Sequence, residues 1–142
     1  MTAKLCDLAT HALGGSLRPR HSAGMARLKV SIVLDSGARI GPGKAALLES
    51  VRDTGSISAA ARGMEMSYKR AWLLLDSINQ AFETPAVVAA TGGQRGGGAQ
   101  LTEFGQDLLE RYRRLEARAQ AAAADDLAAL ESTARPTSGP KV

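Results

Sequence analysis

The sequence predicts a mainly α-helical chain with a small β-hairpin, and three observations lead to that class. Apolar residues fill 44% of the 142 positions but aromatics only 4%, so the core must rest on Leu, Ile, Val, Met and Ala, as helical cores commonly do. Apolar residues recur at helical spacing through 43–55, 56–63, 67–82 and 102–131. Between the last two, a glycine-dense stretch is bracketed by Val87-Val88 and Gln100-Leu101, as at a hairpin tip. The length suits one domain with a modest core.

Residues 1–25 mix Gly, Ser, Pro and isolated charges without periodicity and predict a poorly ordered segment, with Met25 a possible second start. LKVSIVLD then alternates Leu28, Val30, Ile32 and Leu34 against Lys29 and Ser31, the pattern of a short half-buried strand. DSGA is a turn composition, and Arg39-Ile40 allows a brief return before GPG. A first helix follows over 43–55, with Leu47, Leu48 and Val51 on one face and Gly55 as its stop.

Ser56 reads as the cap of a second, short helix carrying Ile57, Ala60, Ala61 and Met64 on one stripe and ended by Gly63. Ser67 caps a third, which runs to about Phe82 with Ala71, Leu75, Ile78 and Phe82 inward; Trp72 beside them predicts partly buried packing. Pro85 ends it, the hairpin follows, and Thr102 caps a long last helix over 102–131 with Phe104, Leu108, Tyr112 and Leu115 in a stripe that asks for a partner. The tail 132–142 predicts disorder.

The pair of helices at 56–63 and 67–82 is joined by a turn beginning at a glycine. This spacing lets the second helix project its first turn, as a helix-turn-helix does toward a major groove, although it also fits a corner in any small α domain. Ser67, Tyr68, Lys69 and Arg70 occupy that turn with no acid among them. Hydroxyl, backbone N–H and cationic groups suit phosphates and guanine edges, while Lys69 and Arg70 also suit a plain solvated face.

Five glycines fall within Gly92–Gly98, around Gln94 and Arg95. A phosphate-cradling Walker loop needs a lysine, and none occurs between Lys69 and Lys141. The dinucleotide fingerprint fails because position 101 is Leu and the segment leads into a strand. A flexible linker remains open, but the flanking strands favour a hairpin tip whose arginine can reach a minor groove or phosphates. Hairpin, basic tip and preceding helix pair together describe a winged helix-turn-helix.

The net charge of +4 and isoelectric point near 9.6 are compatible with a nucleic-acid partner. Cys6 is alone, so no intramolecular disulfide forms, and His11 and His21 lack companions at metal-ligand spacing. No His or Cys falls in the region expected to be ordered, so neither a catalytic residue nor a metal site is expected. No stretch approaches the ~20 apolar residues of a membrane span or the apolar core of a signal peptide, which predicts a cytoplasmic protein without a membrane partner.

SISAAARGMEMSYKRAWLLLDSIN (56–79) and ATGGQRGGGAQLTEFGQDLLERYRRL (90–115) closely resemble the amino-terminal DNA-binding domain of ModE-type molybdate-responsive transcription regulators, whose winged helix-turn-helix is similar to that of LysR-type regulators. The resemblance covers about residues 25–130. It implies a DNA-binding domain over 26–101 with a recognition helix at 67–82, a wing near 91–100, and a dimerisation helix over 102–131 that pairs two subunits through Phe104, Leu108, Tyr112 and Leu115. The implied DNA contacts are Ser56, Ser58, Ser67, Tyr68, Lys69, Arg70, Thr91, Gln94 and Arg95.

Members of that family carry a molybdate-binding module after the long helix, and this sequence ends about a dozen residues beyond it. The expectation is therefore no cofactor, with molybdate sensing absent from this chain or supplied by a partner protein. Arg70 and the Leu73-Leu74-Leu75 run make the recognition face more basic at one point and more apolar afterwards than the family pattern. The function expected is a homodimeric transcription regulator on pseudo-palindromic double-stranded DNA with half-sites about 10 bp apart or a multiple of it. The alternative is an interaction module whose last helix pairs with another regulator.

Overall fold

A computed structural model describes residues 26–90 and 98–136. The segment 1–25 and residues 137–142 of the tail 132–142, both expected to be disordered, lie outside the described residues, as does most of the glycine stretch, whereas residues 132 and 133 still belong to the last helix.

The first strand, β1 (Ile32–Val33), is far shorter than the alternation from Leu28 suggests; it pairs antiparallel with β2 (Arg39–Ile40), Ile32 opposite Ile40. The turn between them closes on Gly37 at φ 85°, with Gly37 N–H donating to Leu34 O at 2.8 Å. A left-handed residue is needed there, and glycine adopts it without a Cβ clash. Residues before Ile32 run along the last long helix instead of pairing with a strand: Leu28 N–H donates to Gln120 Oε1 and Val30 O accepts from Tyr112 Oη.

Three helices build the centre: α1 (Pro42–Thr54), α2 (Ile57–Gly63) and α3 (Tyr68–Ala81). Pro42 opens α1 where its missing N–H is not needed, and Gly55 closes it at φ 68°. Serine hydroxyls cap the next two, Ser56 Oγ accepting from Ala59 N and Ser67 Oγ from Arg70 N. Leu47, Leu48 and Val51 of α1, Ala60 and Ala61 of α2, and Ala71, Leu75 and Ile78 of α3 meet in one core. The alanines let the helices approach closely, and the leucines and isoleucine fill the space between them.

The α2–α3 turn differs from the sequence expectation at one point. Its left-handed residue is Glu65, φ 56°, whereas Gly63 still belongs to α2. Met64 and Met66 N–H bond back to α2 carbonyls, so the direction change falls two residues after the glycine.

The strands β3 (Val87–Ala90) and β4 (Gly98–Leu101) pair antiparallel with Val87 opposite Leu101 and Ala90 opposite Gly98. Asn79 of α3 holds this hairpin: its Oδ1 accepts from Ala86 N and Val87 N, and its Nδ2 donates to Val87 O. From the other side Ala99 N–H donates to Gly55 O at 2.9 Å. The hairpin is thereby tied to both α1 and α3.

The expected class, a winged helix-turn-helix with one small hairpin and one long dimerisation helix over 102–131, is corrected here. Five helices and two separate two-stranded sheets are present among the described residues, and the long helix is two: α4 (Glu103–Ala122) and α5 (Ala124–Thr133). The break at Ala123 has a local cause. Alanines 121–124 provide no apolar stripe to carry packing across it, and Asp125 and Asp126 are stabilised in a helix's first turn rather than deep in one.

Candidate nucleic-acid interface

Each predicted contact begins with a local structural reason. Ser67 caps α3, so its side chain faces the four free N–H groups of that helix, and Tyr68, Lys69 and Arg70 follow as the first turn. All four are exposed, and among the described residues neither Lys69 nor Arg70 joins an ion pair. The positive helix end and two cations thus add, with no carboxylate within that turn.

Ser56 and Ser58 stand at the start of α2, across a cleft of about 510 Å³ that Tyr68, Trp72 and Asp76 of α3 and Val88 and Gly98 of the hairpin also line. Ser56 Oγ already accepts a capping bond, which leaves its O–H to donate outward, while Ser58 is exposed. The fold thus brings Ser56, Ser58 and Tyr68 to one cleft, with Ser67, Lys69 and Arg70 on the adjoining turn. Thr91, Gln94 and Arg95 lie outside the described residues.

Trp72 departs from the partly buried packing its neighbours suggest: it is 44% exposed, and with Tyr68 at 54% it forms an aromatic side to the cleft. Sequence reasoning also missed Asn79, which lines the same cleft and sets where the hairpin stands relative to α3. An Asn eight residues before the strand it clamps carries no pattern by which to recognise it.

The four residues expected to pair subunits divide. Tyr112 is buried within its own chain, and Phe104 packs edge-on against Phe82 with ring centroids 5.1 Å apart. Leu108 and Leu115 line a surface groove of about 460 Å³ together with Ile32, Leu34, Phe82 and an edge of Tyr112, rimmed by Arg111, Arg114 and Arg118. Burial holds the Tyr112 phenol above its ordinary pKa, and the Asp107 carboxylate bonded to Arg111 strengthens that guanidinium's hold on its proton. No group of three or more His, Cys, Asp or Glu side chains suited to a metal ion occurs among the described residues. None of their helices is long and apolar enough to cross a membrane.

No family model matches the chain. Over 87 residues it is 47% identical to the molybdenum-pterin-binding protein MopB of Rhodobacter capsulatus, covering 61% of this chain and 32% of that protein. It is 38% identical over 94 residues to the molybdenum transport protein ModE of Azotobacter vinelandii, covering 66% of this chain and 35% of the other. It is 44% identical over 71 residues to the DNA-binding transcriptional dual regulator ModE of Escherichia coli (strain K12), with 50% and 27% covered. The chain spans about a third of the length of these relatives.

Two of the three relatives are named for molybdenum, as a pterin-binding and a transport protein. That finding corrects two expectations: that the resemblance is confined to an amino-terminal DNA-binding domain without a molybdate-binding module, and that no cofactor is concerned. The names the relatives carry are those of binding, transport and regulatory proteins, and the chain is similar to molybdenum-related transcription regulators.

Proposed function

We propose that this chain belongs to a molybdenum-linked transcription regulator that binds double-stranded DNA as a homodimer. One observation carries the DNA reading: the acid-free first turn of α3, Ser67 to Arg70, stands exposed beside a cleft lined by further hydroxyls. In this reading Ser56 and Ser58 hold phosphates, and Ser67, Tyr68, Lys69 and Arg70 enter the major groove, where Lys69 and Arg70 reach flanking phosphates or guanine edges. Thr91, Gln94 and Arg95 join them on the strength of the sequence alone.

The groove along α4 supports the dimer. Its apolar floor of Leu108, Leu115 and Ile32 suits a second copy. Acids Glu103, Asp107 and Glu110 lie toward one end of α4 and Arg111, Arg114 and Arg118 toward the other. Antiparallel pairing sets opposite charges against each other, whereas parallel pairing sets like against like.

Molybdenum enters through what the relatives are named for. Among the described residues no charged side chain is buried, so they form no enclosed oxyanion site.

The test is DNA binding by the purified chain across a salt series, with and without molybdate. Each phosphate contact contributes about 0.9 to the slope of log affinity against log salt. Lys69→Ala combined with Arg70→Ala is expected to flatten that slope by about 1–2 and weaken binding at every salt concentration. An unchanged affinity and slope in the double variant overturns the α3 reading. Salt-independent or absent binding favours the interaction module.

A further inference from the structure

Three consecutive leucines in α3 face three directions, since successive side chains are about 100° apart around a helix. Leu75 is in the core at 3% exposure, Leu74 packs against that core, and Leu73 is 51% exposed. Leu73 therefore leaves about half of its surface outside the packing of the domain. It shares a face with Lys69, four residues earlier, and adjoins the exposed Trp72.

A single exposed leucine needs no special account. Leu73 is distinguished by its company. It lies one turn beyond the only acid-free basic turn of α3, and Asp76, three residues further on, ends the stretch on which phosphates would be welcome. Within α3, contacts to the DNA backbone are thus confined to its start, and what Leu73 would meet is a base edge. In the major groove the base edges present mostly hydrogen-bond donors and acceptors, and the one apolar group large enough for a leucine to pack on is the 5-methyl of thymine, since cytosine offers only a C5–H there. A leucine covering any other edge would strip water from a polar group and give nothing back.

We infer that Leu73 is a specificity-determining residue that packs on a thymine methyl group in the major groove. The inference rests on the DNA reading above. One helical turn is about 5.4 Å and one base-pair step about 3.4 Å, so the thymine lies about one to two steps from the base or phosphate met by Lys69.

The test starts from duplexes that the full chain selects out of a random pool. Each thymine of the strongest site is replaced by uracil, which removes only the methyl, and each cytosine in turn by 5-methylcytosine. At one thymine per half-site the wild-type chain is expected to lose about fourfold in affinity, the worth of one buried methyl group. Leu73→Ala should abolish that thymine-to-uracil difference, Leu73→Met should keep most of it, and thermal melting should show all three proteins equally folded. Lys69→Ala should weaken thymine and uracil duplexes by the same factor.

A Leu73→Ala protein that keeps the full thymine preference, or a wild type that shows none, overturns the inference while leaving DNA binding intact. A response to 5-methylcytosine but not to thymine overturns the assignment of the base. Failure to select any duplex sinks the DNA reading and this inference together.

Discussion

Arg113 of α4 grips Glu49 of α1 through two parallel hydrogen bonds, Nε to Oε1 at 2.8 Å and Nη2 to Oε2 at 2.7 Å, while its Nη1 donates to Glu116 at 2.9 Å. The neighbouring carboxylates hold the Arg113 guanidinium well above its ordinary pKa, so it stays charged wherever the protein is folded. This fork joins the helix that lines the apolar groove to the helix at the centre of the core. Both side chains are about one-third exposed, which screens the attraction but leaves the bidentate geometry intact. Glu49→Ala or Arg113→Ala is expected to lower stability by about 1–2 kcal/mol, and the two together by less than their sum. Arg113→Lys keeps the charge but loses the fork, and should recover under half of the effect. Urea unfolding of the four proteins checks this.

Gly105 admits the first turn of α4 against the segment before β3. A methyl group there would overlap the carbonyl oxygen of Ala86 and stand 2.9 Å from its carbon. Backbone cannot rotate away as a side chain can, and Thr102 pins the same segment by donating its hydroxyl to Pro85 O and its N–H to Ala86 O. Gly105→Ala should therefore destabilise by about 2–3 kcal/mol, read as a lowered urea midpoint.

Asn79 satisfies two N–H groups and one carbonyl of the hairpin's first strand with a single side chain. Truncation leaves all three partly buried groups without a partner. For Asn79→Ala the expected loss is about 1–3 kcal/mol. Amide hydrogen exchange should quicken first at Ala86 and Val87, while Leu47 and Leu48 remain protected; uniform quickening would show that the clamp supports the whole core instead.

Tyr112 donates its hydroxyl to Val30 O at 2.8 Å, and burial raises its pKa above the ordinary 10.0. In the unfolded chain the phenol loses its proton near pH 10, while the folded protein still retains it. The unfolded state then binds fewer protons, so stability is intact below about pH 10 and falls as pH rises beyond it. Tyr112→Phe should remove that alkaline limb of the stability curve at a loss of about 1 kcal/mol near neutrality.

The glycines around α2 separate by conformation. Gly55 sits at φ 68°, where a Cβ is strained, whereas Gly63 has helical backbone and open space around it. Gly63→Ala should stabilise the protein by about 0.5–1 kcal/mol, and Gly55→Ala should destabilise it by about 1 kcal/mol. Thermal melts of opposite sign are the check.

What could be read from the sequence is what neighbours in the chain decide. Ser56, Ser67 and Thr102 each precede an apolar helical run, and a capping hydroxyl needs only the backbone three residues on, so these helix starts were visible. The acid-free run from Ser67 to Arg70 and the pairing of Val87-Val88 with Gln100-Leu101 are equally local patterns. They gave the candidate interface its residues. The link to molybdenum rests on the resemblance carried by 56–79 and 90–115 and on what the relatives are named for.

Tertiary contacts decided the rest. The stripe Phe104, Leu108, Tyr112, Leu115 is one face by periodicity, yet Tyr112 turns into its own core because Val30, 82 residues away, offers its carbonyl there. The sequence gives Leu73, Leu74 and Leu75 equal hydrophobicity, and only the position of α3 against α1 and α2 leaves the first of them outside. Asn79, Gly105 and the Arg113–Glu49 fork act between segments distant in sequence. Local propensity sets where an element begins and which face is apolar, whereas the partner that covers that face is chosen by packing among all the elements at once.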